Sequence, residues 1–432
     1  MEGSKKHNHK DIEFIGFHNV RQMPYNASDM VAVTFPESLF NDDKGPRIYL
    51  TGGCSGDQVC DVVNATTDAL FCYCPLVNDF ASYFSPQESA WTVVAPMLRE
   101  RYRHMSAKVG KYLYVLGGRY LNDSLVTAVD RLDVLTGVWE FVADWPAVTS
   151  DGVAWSIEKD NLIMVAGGYD AFYQTPGSLT AFHVITGQVD AGYPAMAVGR
   201  GDTQVATLNG NEFYVIGGWT GDNFITPSNG EPICSPNRSP RLTLTLPTPT
   251  TTVVELYDYS ANRWQIVAPL HYARGDLACG TMDGSIFAVG GETRPASDVS
   301  HTHSVPVKLV ERYYPQNDSW ALEESIPDNI FRFVGASYNS STSLYSSAIF
   351  LFGGQGTYDD QADYFPVLDS NVQYIPASTV HRSSSSDALP PEGIAGIVVA
   401  GVVVLAVVVA LLIAYCARRH VSFPALTLSL ST

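Results

Sequence analysis

Six times along this chain a short apolar run ends in two adjacent glycines: RIYLTGG, KYLYVLGG, LIMVAGG, FYVIGG, IFAVGG and AIFLFGG. The pairs are Gly52 and Gly53, Gly117 and Gly118, Gly167 and Gly168, Gly217 and Gly218, Gly290 and Gly291, and Gly353 and Gly354. Self-similarity at a period of roughly fifty residues, lengthened by insertions, means repeated supersecondary units and not one irregular core. The surroundings of each pair are alike. A first strand meets a tight turn, with Asn209-Gly210 and Asp283-Gly284 as two-residue hairpin signals, and the second strand runs into the glycines. A variable loop then leads to a third strand, as in VVELYDYSANRW, and a fourth opens near Trp91, Trp139, Trp264 and Trp320. Each unit is therefore expected to be a four-stranded antiparallel sheet. The third unit departs locally, with Gln188 where the tryptophan should stand.

The glycine pair followed by Tyr/Leu-Asp and then Trp resembles the kelch repeat family. GGWTGDN with VVELYDYSANRWQIVAPLHYARGD, and GGRYLNDS with AVDRLDVLTGVWEFVADWP, are the best copies. The resemblance covers roughly residues 11–376 and implies an all-β fold, a six-bladed kelch-type β-propeller of four-stranded antiparallel blades. The double glycine would let the second strand end close to the neighbouring blade, where a side chain would collide. The sixth pair is followed by a third strand, ADYFPVLDSNVQYIP, but no fourth. DIEFIGFHNVRQMPYNASDMVAV reads as a fourth strand running into a first, so the N-terminus is expected to complete the last blade and leave no open edge.

Beyond the repeats, residues 393–415, GIAGIVVAGVVVLAVVVALLIAY, carry no charge and are long enough to cross a bilayer as a helix. Arg418 and Arg419 on one side, against Asp387 and Glu392 on the other, place the short tail in the cytoplasm and the propeller outside or in a lumen. The expected order is an N-terminal tail (1–10), the propeller (11–376), a Ser/Pro-rich linker (377–392), the transmembrane helix (393–415) and a cytoplasmic tail (416–432). No signal peptide can be read in MEGSKKHNHKDIEFIGFHNV, so either the true start lies upstream of this sequence or the span is the tail anchor of a cytosolic adaptor. Six glycosylation sequons begin at Asn26, Asn64, Asn122, Asn237, Asn317 and Asn339. Cys54, Cys60, Cys72 and Cys74 form a local, even cluster that suits two disulfides; free thiols and a zinc site are the rival readings, and the spacing lacks paired C-x2-C knuckles.

Function has to be sought at a site. The formal net charge of −18 repels a phosphate backbone, so nucleic acid is excluded as a partner on average. Aligning the segments that lead into the first strands places Asp29, Asp151, Asp202 and Asp276 at one equivalent position, with His104 in the second blade. Arg103, Arg200, Arg274 and Arg332 lie beside it. The expected result is a charged ring at the mouth of the central channel, serving either as interblade salt bridges or as a pocket for a polar ligand. Both Arg-Gly-Asp tripeptides belong to this ring. The long insertions fall on the same face, so a protein or glycan ligand is expected there, with the bilayer as a second partner through 393–415. No catalytic motif is present, and His301 and His303 lack a third ligand. The family includes copper-dependent galactose oxidase-like enzymes, but no Tyr, His and Cys ligand set can be assigned. The expectation is a binding module without cofactor or metal; a propeller oxidoreductase or hydrolase is the alternative.

Overall fold

A computed structural model describes residues 16–64, 69–220, 250–293, 305–339, 347–359 and 364–376, the side chains of 58–73 apart. The chain divides into two units, Met1–Val380 and His381–Thr432. The second, with the expected membrane span, lies outside the described residues. Among the described residues no helix is long and apolar enough to cross a membrane.

Six four-stranded antiparallel sheets make up the first unit. The first blade consists of Val31–Phe35, Arg47–Thr51, Ala81–Ser85 and Ala90–Val93. The next two begin at Met105–Val109 and Val153–Ile157, the fourth and fifth at Gln204–Thr207 and Ala278–Met282. In the sixth, Val334–Asn339, Ser347–Phe352 and Asn371–Ile375 are joined by Gly16–Asn19 from the N-terminus. That strand pairs Gly16 with Ile375, and Phe17 stacks on Tyr374 at 4.3 Å. The ring is thus closed by backbone hydrogen bonds between the two ends of the repeat array, as the sequence implies.

Strand position explains composition. Innermost strands alternate, as in Met105–Val109, because one face looks into the channel and the other into the neighbouring blade. Second strands are buried on both faces, so all five residues of Leu162–Ala166 are apolar and buried. The apolar core lies between blades: Ile216 and Tyr214 of the fourth pack with Leu277, Ile286 and Tyr313 of the fifth.

The repeat signatures are joints between blades. Gly117 has φ +66°, and a Cβ there would stand 2.1 Å from the Thr149 carbonyl oxygen of the segment leading into the next blade. Both conformation and space therefore require glycine. Each tryptophan indole donates to a carbonyl of the chain leaving the preceding blade: Trp91 to Arg21, Trp139 to Ala95, Trp264 to Pro194 and Trp320 to Ala268, at 2.8–3.0 Å. A buried indole N–H needs such a partner, and here the partner is what ties two blades together. Where Gln188 replaces the tryptophan, the fourth strand shrinks to Val189–Asp190.

Among the described residues, all strands beyond the blades come from the loops that follow the glycine pairs. Glu292–Thr293 pairs with Val305–Pro306. Gln58–Asn64 pairs on one side with Ala69–Tyr73 and on the other with Tyr364–Phe365, so insertions of the first and sixth blades share one sheet across the seam of the ring. Cys54 and Cys74 form a disulfide at its base, with a Cα separation of 5.6 Å. For these two cysteines the disulfide reading replaces the zinc and free-thiol readings. Cys60 and Cys72 face each other in the strand register, their side chains lying outside the described set.

Candidate functional site

The residue two positions before each innermost strand faces the channel mouth. In blade order these residues are Asp29, Arg103, Asp151, Asp202, Asp276 and Arg332, and all six are left-handed, with φ between +50° and +56°. Such a backbone is costly for residues with a Cβ; aspartate accepts it better than most. The compensation is visible: each N–H donates to the carbonyl of the ring residue before it, from Arg103 to Asp29 at 2.9 Å round to Asp29 and Arg332 at 3.1 Å. Six backbone hydrogen bonds form a closed circle through all six blades. The strain is stored where the blades meet, and the circle holds it.

This placement revises the expected ring. Arg103, not His104, occupies the second position, and Arg332 occupies the sixth. His104 is buried one residue further on, its Nε2 3.0 Å from Thr51 Oγ1; burial, then Arg101, pushes its pKa well below the usual range. Arg200 and Arg274 do not line the ring. Their guanidinium groups turn away and pair with Glu255 at 2.6 Å and Glu311 at 3.1 Å, and all four side chains are fully buried. Arg101 makes the same pair with Asp130 at 2.6 Å. These are intrablade braces, and removing one partner would leave an uncompensated buried charge.

The two Arg-Gly-Asp tripeptides come apart along the same lines. The arginine braces its blade and the aspartate joins the ring. The glycine between them makes room for an aromatic ring of the preceding blade. A Cβ at Gly201 would stand 2.4 Å from Tyr169, and one at Gly275 2.3 Å from Trp219. Neither tripeptide protrudes, so an adhesion-motif reading has no geometric basis.

Electrostatically the ring is uneven. Arg103 lies between Asp29 at 3.6 Å and Asp151 at 3.7 Å, and Arg332 reaches Asp276 at 3.3 Å and Glu292 at 3.5 Å. Between the two arginines Asp151, Asp202 and Asp276 follow one another as three successive carboxylates, the outer two each beside an arginine. Burial, resisted by Arg103 and reinforced by neighbouring carboxylates, lifts Asp151 to about 6. Burial and then an adjacent carboxylate raise Asp202 and Asp276 well above the ordinary range. Tyr169 Oη donates to Asp202 at 2.8 Å, whereas Asp151 Oδ2 has no hydrogen-bond partner among the described residues. Burial opposes the charge on Arg103, but Asp151 and its other neighbours outweigh it and its pKa rises.

A second tier, not foreseen from the sequence, consists of the residues that directly follow the glycine pairs. Arg119 donates to Ser150 Oγ at 2.9 Å and lies 3.9 Å over the Tyr173 ring, whose hydroxyl donates to Asp123 at 2.7 Å. Asp123 and Tyr173 are themselves left-handed, at φ +65° and +56°. The sequence signal was available: these positions sit at a fixed offset from each glycine pair. Beneath the ring lies a cavity of about 260 Å³, followed by a wider chamber of about 640 Å³. Small residues such as Ala32, Ser106, Cys279 and Gly335 line both. Among the described residues no group of three His, Cys, Asp or Glu could hold a metal ion.

Six four-stranded blades, glycine-pair joints, indole staples and a polar ring at the channel mouth define a propeller of the kelch type. Comparison with known proteins agrees: the sequence is similar to kelch-like proteins and the fold to that of a solved structure. The chain is similar to Kelch-like protein 23 of Homo sapiens, 23% identical over 292 residues, covering 66% of this chain and 40% of that protein. Kelch-like protein 36 of Bos taurus is 27% identical over 250 residues, covering 57% and 35%. This chain thus aligns with less than half the length of these relatives. The solved structure of YjhT superposes with a TM-score of 0.58 at 13% identity, covering 81% of this chain and 95% of that one. No family model matches the chain.

Proposed function

We propose that the chain is a membrane-anchored recognition module, not an enzyme, whose kelch propeller binds a protein or glycan ligand through its loop face. Residues 393–415 hold it in the lipid bilayer, and the propeller stands outside the cell or in a lumen. One observation carries the reading: among the described residues, every strand outside the blades, and the Cys54–Cys74 disulfide, lies on the face that carries the channel mouth. Elaboration confined to one side of a repeating scaffold is how recognition surfaces are built. Leu76, Leu121 and Phe172 are exposed in these loops and offer apolar anchors.

Proximity labelling by the full-length chain in its membrane tests this. Changing Leu76, Leu121 and Phe172 together to Asp should remove neighbours that the unaltered chain labels. Ile185→Asp, in an exposed turn on the opposite face, should leave them in place. A neighbour set that survives the triple change, or is lost with Ile185→Asp alone, would overturn the assignment of the face.

A further inference from the structure

Five positions beyond each ring residue, the innermost strands present a second set of six equivalent side chains: Thr34, Lys108, Ser156, Thr207, Thr281 and Ser337. All six line the wider chamber at the far end of the channel. Five are hydroxyls and one is an ammonium, so this crown is rich in donors and carries positive charge, opposite to the carboxylate-rich ring above it. Some hydroxyls are already committed. Thr34 Oγ1 donates to the Ser337 carbonyl at 2.8 Å, and Ser337 Oγ accepts the Thr281 N–H at 2.7 Å. Lys108 is not committed: it forms no hydrogen bond or ion pair within 4.0 Å among the described residues. Its Nζ lies 6.0 Å from the centroid of the Phe35 ring, at the outer limit of a cation–π contact.

A half-buried ammonium with no carboxylate in ion-pair distance, only the exposed Glu158 acting on it from the rim, is unfavourable in a channel, and an anion relieves it. The space is there, about 640 Å³. Hydroxyls and an ammonium are the donors that a small oxyanion accepts. The other charged groups that line this end, Glu158 and Lys159, are both exposed at its rim, and the buried Cys279 thiol, its pKa pushed up by burial, is neutral. From this geometry we propose that the crown binds an oxyanion, the phosphate or carboxylate group of a small ligand, with Lys108 as its counter-ion. Burial lowers the Lys108 pKa, opposed by Glu158. A bound anion would raise it again, so binding takes up protons where Lys108 is partly neutral.

The site lies at the opposite end of the channel from the loop face, so its test is independent of the proposed ligand surface. Full-length protein is melted in inorganic phosphate and, separately, in sodium acetate, against sodium chloride of equal ionic strength. Phosphate or acetate should raise the melting temperature of the unaltered protein and of Lys108→Arg, but not of Lys108→Met. Calorimetric titration should show at least a tenfold loss of affinity in Lys108→Met. Whichever anion acts identifies the preferred group. Should the methionine variant fail to fold, Lys108→Gln serves in its place. Equal stabilisation of the Lys108 variant, or no anion-specific shift in the unaltered protein, would overturn the proposal.

Discussion

At Asp151 a carboxylate sits in a strained, closed ring with one oxygen unpartnered, and its protonation couples to folding. In the unfolded chain it titrates near the ordinary value of about 4, and in the ring near 6. Between those values the folded protein keeps a proton that the unfolded chain has lost. Its stabilising contribution is therefore complete below about pH 4 and lost as pH rises through 6. Asp151→Asn removes this dependence. The variant should gain on the parent as pH rises from 4 to 7, by on the order of 1–3 kcal/mol, read from urea unfolding at several pH values. A stability difference that does not change with pH would refute the coupling. At this scale the sequence was partly legible. The four aspartates could be aligned because one residue type recurs at one position. Arg103 was displaced by His104, because the ring is counted from the strand start and RYRHMS offers three polar candidates in a row. Arg200 and Arg274 were misplaced for another reason: their partners, Glu255 and Glu311, stand on distant third strands, and proximity in sequence to the ring says nothing of where a long side chain turns.

At the scale of elements, the glycine pairs and tryptophans announced the blades because each marks a joint that recurs with the repeat. The strand pairing that closes the ring was legible too, since a missing fourth strand at one end matched a surplus strand at the other. What no pattern announced is the sheet shared by the first and sixth blades. Tyr364–Phe365 and Gln58–Asn64 are brought together only by closure, and their pairing spans the whole propeller. Closure therefore has a consequence beyond the last blade. A chain starting at Val31 lacks Gly16–Asn19 and leaves the outer edge of Asn371–Ile375 unpaired. It also loses Arg21, whose carbonyl accepts the Trp91 indole, and Asn371 Nδ2 loses the same acceptor. The first and sixth blades should loosen together. Hydrogen exchange should rise in both Ala81–Val93 and Asn371–Ile375, with a lower melting temperature. If melting and exchange matched the full-length chain, closure by the N-terminal strand would carry no weight in stability.

For the whole molecule, the proposed membrane anchor raises the question of which side of the bilayer the propeller occupies. Three observations bear on it, and each belongs to a different level. The disulfide between Cys54 and Cys74 is a bond that persists in an oxidising compartment and is rare in the cytosol. Asn26, Asn122, Asn317 and Asn339, four of the six sequon asparagines, are exposed, as attachment of a glycan requires. At Asn122 the side chain already accepts from the Ser124 N–H and hydroxyl, at 3.2 and 2.7 Å. Thirdly, Arg418 and Arg419 follow the apolar span directly and favour a cytoplasmic tail. The charge beside the proposed span and the disulfide in the propeller are separate features of the sequence and the fold, and the proposed orientation accommodates both. Intact cells carrying the chain with a C-terminal tag should accordingly lose the propeller to added protease and keep a short tagged fragment. Glycosidase treatment should shift the mass of the undigested protein, and Asn122→Gln should remove one step of that shift. In the tail-anchored arrangement, protease would spare the propeller of intact cells, Asn122 would be unmodified, and Cys54 and Cys74 would react with a thiol reagent without prior reduction. The three readouts are independent, so a cytosolic propeller would reverse all of them together.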